Sequence, residues 1–232
     1  MRTQLLLALL ASAGVFAGQD TAHAQSDLLK KGAQAVSSVA APSPVLGLLG
    51  KASDGALDKL AQPGAFYADE AVRILLPGPF KKAGEIMKLT SKTGLTTDLA
   101  KAMNDAAGLA AKEAKPVFRD AINGMTISDA VSIAQEGDGA TRYLRQSAGD
   151  TLKLRLRPLI SSALDTTGAL AQVEKLNKVK LLRGAGIGSD MLINSVTDQA
   201  LAGIFTYIGN EERQLRTNPL EAGKGLLKGL IN

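Results

Sequence analysis

The sequence has no cysteine and a single histidine, His23, in 232 residues. Without thiols the chain forms no disulfide, holds no metal through thiolate and carries no lipid on an N-terminal cysteine. His23 falls inside a segment that reads as a removable leader, so the mature chain has no imidazole either. That excludes histidine general bases, Ser-His and Cys-His nucleophile pairs, and the commonest zinc and copper ligand sets. Carboxylates, lysines, tyrosines and hydroxyls remain, enough for a glycosidase pair or a carboxylate-only metal site and little more. No catalytic residue, metal site or cofactor is expected. Aromatics are scarce as well. Beyond the leader they are Phe66, Phe80, Phe118, Phe205, Tyr67, Tyr143 and Tyr207, scattered rather than interleaved with basic residues, which offers no stacking platform for nucleic acid.

Met1 and Arg2 form a short positive end, residues 5–17 are an apolar run, and Ala22-His23-Ala24 supplies small residues at a cleavage point. This pattern predicts a secretory signal peptide over residues 1–24, cut after Ala24. The run is too short to span a bilayer, and no later segment approaches the ~20 apolar residues that a transmembrane helix needs. With no twin arginine, the general secretion route is favoured. Residues 25–232 then make one domain, soluble in an oxidising space such as the bacterial periplasm and stabilised by its core alone. Arg2 and Asp20 are the leader's charges, so 26 basic and 21 acidic residues remain and the net charge stays at +5. Such a surface favours anionic partners, which outside the cytoplasm are phospholipid head groups, lipopolysaccharide or acidic proteins rather than nucleic acid. Nothing in the sequence reports an oligomeric state.

Apolar residues recur at helical spacing along most of the chain. Leu28, Leu29, Ala33, Ala35 and Val36 predict a first helix, ended by Ala41-Pro42-Ser43-Pro44. Residues 45–60 predict a second, with Leu46, Leu49, Ala56, Leu57 and Leu60 inward and Gly47, Gly50 and Gly55 available for close helix contact. After Pro63-Gly64, a short helix with Asp69 and Glu70 in its first turn leads to Arg73-Ile74-Leu75-Leu76-Pro77-Gly78-Pro79-Phe80, where two prolines fix an extended corner. A helix over 79–90 follows. The strongest pattern is at 98–115, where Asp98 caps a helix that buries Leu99, Met103, Ala106, Ala107, Ala110 and Ala114. A short helix over 116–122 comes next, and Thr126-Ile127-Ser128-Asp129 starts another as a short-armed capping box. Residues 140–166 read as one long helix interrupted at Pro158, despite the strand-like alternation of 152–157. Helices over 169–182, 196–217 and 220–231 complete an all-α domain of eight to ten helices. Gly184-Ala185-Gly186-Ile187-Gly188 misses the phosphate-loop spacing and follows no strand, so it reads as a connection.

An ordered series of short motifs carries a resemblance. Arg73-Ile74 with Leu76-Pro77-Gly78, Asp98-Leu99, Met103-Asn104-x-Ala106-Ala107, Ala114-Lys115-Pro116, Ala121-Ile122, Met125-Thr126-x-x-Asp129-Ala130 and Ala140-Thr141-x-Tyr143 are joined by Ala200-Leu201-x-Gly203-x-Phe205, Glu211-Glu212, Arg216 and Asn218-Pro219. Together they resemble the bacterial domain of unknown function 4197 over nearly the whole mature chain. The approach to the first motif, Gly64-Ala65-Phe66-Tyr67-Ala68-Asp69-Glu70, departs from the glycine- and phenylalanine-rich pattern common in that family. The resemblance implies a helical exported protein and brings no activity with it.

Functionally, these features point to an exported binding or interaction protein that engages an apolar or anionic envelope ligand in a cleft between helices or on a basic face. Its polar candidates are Arg73 as an anion anchor, Asn104 as an amide contact, Tyr143 as a hydroxyl donor, and Glu212 and Arg216 as a charge pair four residues apart. Intramolecular pairing is the plainer role for Arg73. Arg142, Arg145, Lys153 and Arg157 share an arc of about 120° and make either an anion-binding stripe or a solvated face. Two alternatives stand beside this reading. One is a carboxylate-based hydrolase in which two of Asp98, Asp105, Asp129, Asp138 and Glu211 converge on a cleft. The other is a structural partner in an envelope complex, marked by an exposed apolar patch.

Overall fold

The computed structural model describes residues 44–88, 94–126, 136–178 and 188–218, and every regular element among them is an α-helix. In chain order these are α1 (Pro44–Leu60), α2 (Ala65–Ala68), α3 (Gly78–Lys88), α4 (Gly94–Glu113), α5 (Lys115–Asn123), α6 (Gly139–Thr166), α7 (Ala169–Asn177) and α8 (Ser189–Thr217). The helix predicted at the mature N-terminus, the helix started at Thr126, most of the glycine connection at 184–188 and the helix predicted over 220–231 lie outside the described residues.

The alanine-rich stripe of α4 is the centre of the core. Leu99, Met103, Ala106, Ala107, Ala110 and Ala114 are all buried, as their spacing requires. Their small side chains admit α2, α6 and α7, all of which pack against α4. The last long helix, α8, lies along α1 on one side and α6 on the other. It runs antiparallel to α6, since rising positions on α8 meet falling positions on α6: Asp190 pairs with Arg157, Asp198 with Lys153, and Glu212 with Thr141. Phe205 of α8 meets Phe118 of α5 edge-on, with ring centroids 6.2 Å apart. Each large side chain fully buried here, Phe118 or Leu152 for example, contributes roughly 1.5–3 kcal/mol.

Several boundaries differ from those read in the sequence. The short helix before the corner stops at Ala68 instead of carrying Asp69 and Glu70 in its first turn. The Asp69 carboxylate accepts the Ala71 N–H at 2.9 Å and turns the chain. Asp98 is not the cap of α4, which begins one turn earlier at Gly94, and α8 starts seven residues before the predicted 196. Pro158 leaves α6 unbroken. The carbonyl it deprives of a partner belongs to Leu154, and both residues lie on the exposed side, where water replaces the lost bond. Of the α1 glycines only Gly55 has a close neighbour, Glu211 of α8. A Cβ at Gly47 or Gly50 would meet nothing.

Ser53 of α1 is completely buried, and its hydroxyl has no hydrogen-bond partner. An unsatisfied buried hydroxyl costs about 1–3 kcal/mol. Ser53→Ala should therefore raise the thermal midpoint, and a fall in calorimetry would show that Ser53 has a partner in solution.

Candidate functional site

Residues 69–77 form the corner between α2 and α3, and side chains of other helices stand in for the secondary structure it lacks. Asn104 of α4 accepts the Ile74 N–H at 2.8 Å and donates to the Ile74 carbonyl at 3.0 Å. Gln199 of α8 does the same for Leu75, at 2.8 and 3.0 Å. A carboxamide carries an acceptor and a donor side by side, so one side chain replaces the rung of a neighbouring strand. Successive residues turn to opposite partners, as in a strand. Where α8 crosses the corner it carries Gly203, whose missing Cβ would lie 3.2 Å from Val72 and 3.3 Å from Phe66. Tyr207, one turn further along, donates its hydroxyl to Asp69 at 2.6 Å. That bond pushes the phenol up to about 12 and holds the Asp69 carboxyl below its usual range.

Arg73 is used inside this corner. Its Nε donates to the Tyr67 carbonyl at 2.7 Å, its guanidinium lies over the Tyr67 ring at 5.4 Å, and Glu70 is 3.9 Å away. The arginine thereby fixes a tyrosine that is itself 41% exposed. Opposite stands Leu109 of α4, 44% exposed and outside the buried stripe of its helix. Between them runs a groove of about 410 Å³ whose walls include Pro63, Ala68 and Gly108. A Cβ at Gly108 would touch the Leu60 carbonyl at 3.4 Å, an ordinary contact. Lys101 and Asp105, paired at 2.5 Å, form the polar rim.

The second polar centre is structural. Glu212 is wholly buried, and its carboxylate accepts the N–H groups of Ala140 (3.1 Å) and Thr141 (2.8 Å) and the Thr141 hydroxyl (2.6 Å). Arg216 adds bonds of 3.0 and 2.6 Å to the same carboxylate. The residue preceding α6, Asp138, makes no side-chain cap. The buried amides at that helix end would otherwise be orphaned, and the helix dipole favours the negative charge.

The five residues singled out in the sequence thus fall in three places. Arg73 and Asn104 share the corner, Glu212 and Arg216 cap α6, and Tyr143 stands apart, donating to the Thr126 carbonyl at 2.9 Å. The basic stripe of α6 is mostly neutralised: Arg142 pairs with Glu136, Lys153 with Asp198 and Arg157 with Asp190, leaving Arg145 over the ring of Phe205. Among the candidate carboxylates, Asp105 pairs with Lys101, Asp138 with Arg213 and Glu211 with Lys59, while Asp98 is exposed and Asp129 lies outside the described residues. Among the described residues no cluster of three or more metal-type ligands occurs, and no helix is long and apolar enough to cross a membrane. Gln199, Tyr207 and the Tyr67–Leu109 groove had no motif to announce them. Leu109 did carry a signal, as a leucine outside the apolar arc of its own helix.

Fold and site together define an all-α domain whose irregular corner is clamped by two helices, α4 and α8, beside a small apolar groove. The family model described as "Protein of unknown function (DUF4197)" matches residues 36–231, and the chain belongs to that family. No curated protein and no solved structure matches it.

Removing Glu212 leaves two buried amides and the Thr141 hydroxyl without their acceptor. Glu212→Ala should lower stability by about 3 kcal/mol or more, read from the urea midpoint, and a loss under about 1 kcal/mol would contradict the capping role. The Asp69–Tyr207 bond gives a pH signature. Tyr207 is raised in the folded state, so its contribution is complete below about pH 10 and is lost as the pH climbs toward 12. The depressed Asp69 contributes above about pH 4 and loses that contribution in more acid solution. The stability gap between wild type and Tyr207→Phe should accordingly be flat from about pH 5 to 9 and close at both extremes; a gap independent of pH would rule the bond out.

Proposed function

We propose that this chain is an exported periplasmic binding protein that takes an amphiphilic envelope molecule in the groove between Tyr67 and Leu109. The observation that carries the reading is two large apolar side chains, each more than two-fifths exposed, facing a groove of about 410 Å³, within the size range of small-molecule sites. Free energy favours covering such surface, and Arg73 holds the Tyr67 wall in place before any ligand arrives. Lys101 has donors beyond the one that meets Asp105, so an acidic or hydrogen-bond-accepting head group fits at the rim with its apolar body against Tyr67 and Leu109. Export rests on the leader signature of residues 1–24.

The hydrolase alternative has weaker support, because Asp105, Asp138 and Glu211 each serve a cation. The alternative of a structural partner in an envelope complex draws on Leu154, which is 73% exposed on α6.

Native mass spectrometry of the full chain, expressed with its leader and recovered from the periplasm, tests both parts. The expected result is a protein beginning at Gln25 that carries a noncovalent lipid-like adduct. Leu109→Glu should lose the adduct, whereas Leu154→Glu should keep it. An uncleaved cytoplasmic chain would overturn the export reading. An adduct-free protein that also takes up no envelope lipid on incubation would overturn the groove.

A further inference from the structure

A second depression lies between α6 and α8, about 220 Å³ in volume, with Arg145, Gly149 and Asp150 on one side and Leu201, Ala202 and Phe205 on the other. Three features of it are not accounted for by the packing of the fold. Arg145 places its guanidinium carbon over the Phe205 ring, 5.4 Å from the centroid, and it meets no acceptor among the described residues. A cation–π contact of this kind holds the guanidinium in place and uses none of its N–H donors. Phe205 is itself packed edge-on against Phe118.

Asp150 likewise has no partner among the described residues. The two free charges sit five positions apart on one helix, about 7.5 Å along its axis and about 140° around it. That is the wrong spacing for a direct pair, which needs three or four positions. The neighbouring charges, Lys153 and Asp198, satisfy each other at 2.6 Å and add none of their own. Gly149 lies between the two free groups. A glycine inside a helix costs about 1 kcal/mol relative to alanine, and here no neighbour demands it, since a Cβ would meet nothing within 4 Å. The helix backbone is bare where the depression is.

We propose that this depression is a site for a small zwitterion, whose acidic group is received by the Arg145 fork and whose ammonium is received by Asp150, with its body lying on Gly149 against Leu201 and Phe205. An extended dipeptide spans about 7 Å. The rise of about 7.5 Å and turn of about 140° already put the two Cα atoms about 9 Å apart, leaving room for a hydrogen bond at each end of such a ligand, and an apolar side chain suits the floor. A free dipeptide with both termini ionised is the simplest occupant. The site is separate from the groove beside the corner and stands or falls independently of it.

Isothermal titration of the mature protein with leucylglycine, its N-acetyl form and its C-amide form tests the assignment. Saturable binding of the zwitterion is expected, weakened about tenfold or more by either cap and by Arg145→Gln or Asp150→Asn, as loss of a charge-assisted contact requires. Gly149→Ala should raise the thermal midpoint while weakening binding, a combination that a merely structural glycine would not produce. The proposal is overturned if the zwitterion shows no saturable binding, if the capped peptides bind as well, or if both charge variants bind like the wild type while remaining folded by circular dichroism.

Discussion

A carboxylate shut away from water sets the geometry of this domain. Glu212 is tolerable at zero exposure only because two amides, a hydroxyl and a guanidinium converge on it, and those groups come from two helices that must meet in one register. Once α8 is locked to the start of α6, the antiparallel order of the remaining pairs follows down to Arg157 and Asp190. The exposed pairs are each worth little, about 0–1 kcal/mol. Their contribution is to discriminate this register from its neighbours, while burial provides the stability.

The same helix then builds the corner. Gln199, Gly203 and Tyr207 are spaced four apart on α8, so they fall close to one face, and all three act on residues 66–75. One supplies a strand-like rung, one a gap, one a hydroxyl. Asn104 completes the clamp from α4. A segment that Pro77 keeps out of a helix is thereby satisfied without a sheet, and Arg73 and Tyr67 are presented beside the groove as a consequence.

Much of this was readable in advance where the signal was periodic. The stripe from Leu99 to Ala114 and the all-α class follow from apolar spacing, because a helix face must be buried whatever covers it; the break expected at Pro158 does not occur. Cap positions were less readable. Asp98 resembles a cap but sits inside α4, and the true cap of α6 comes from Glu212, 72 residues from Ala140. The basic residues of α6 read first as a solvated face and, less readily, as a binding stripe. They form a solvated face whose charges are mostly paired, Lys153 and Arg157 with α8 and Arg142 with Glu136 just before α6.

By itself the sequence determined that the chain lacks thiols and has a single imidazole, at His23, that its residues favour helices, and which faces of those helices turn inward. These are properties of residue type and of local period, both of which exist before folding. Only the tertiary structure decided which charges cancel, which amides clamp the corner, and which surfaces stay open at Tyr67, Leu109 and Arg145. Those outcomes depend on pairs far apart in the chain, whose meeting is fixed by packing and leaves no pattern in the sequence near either member.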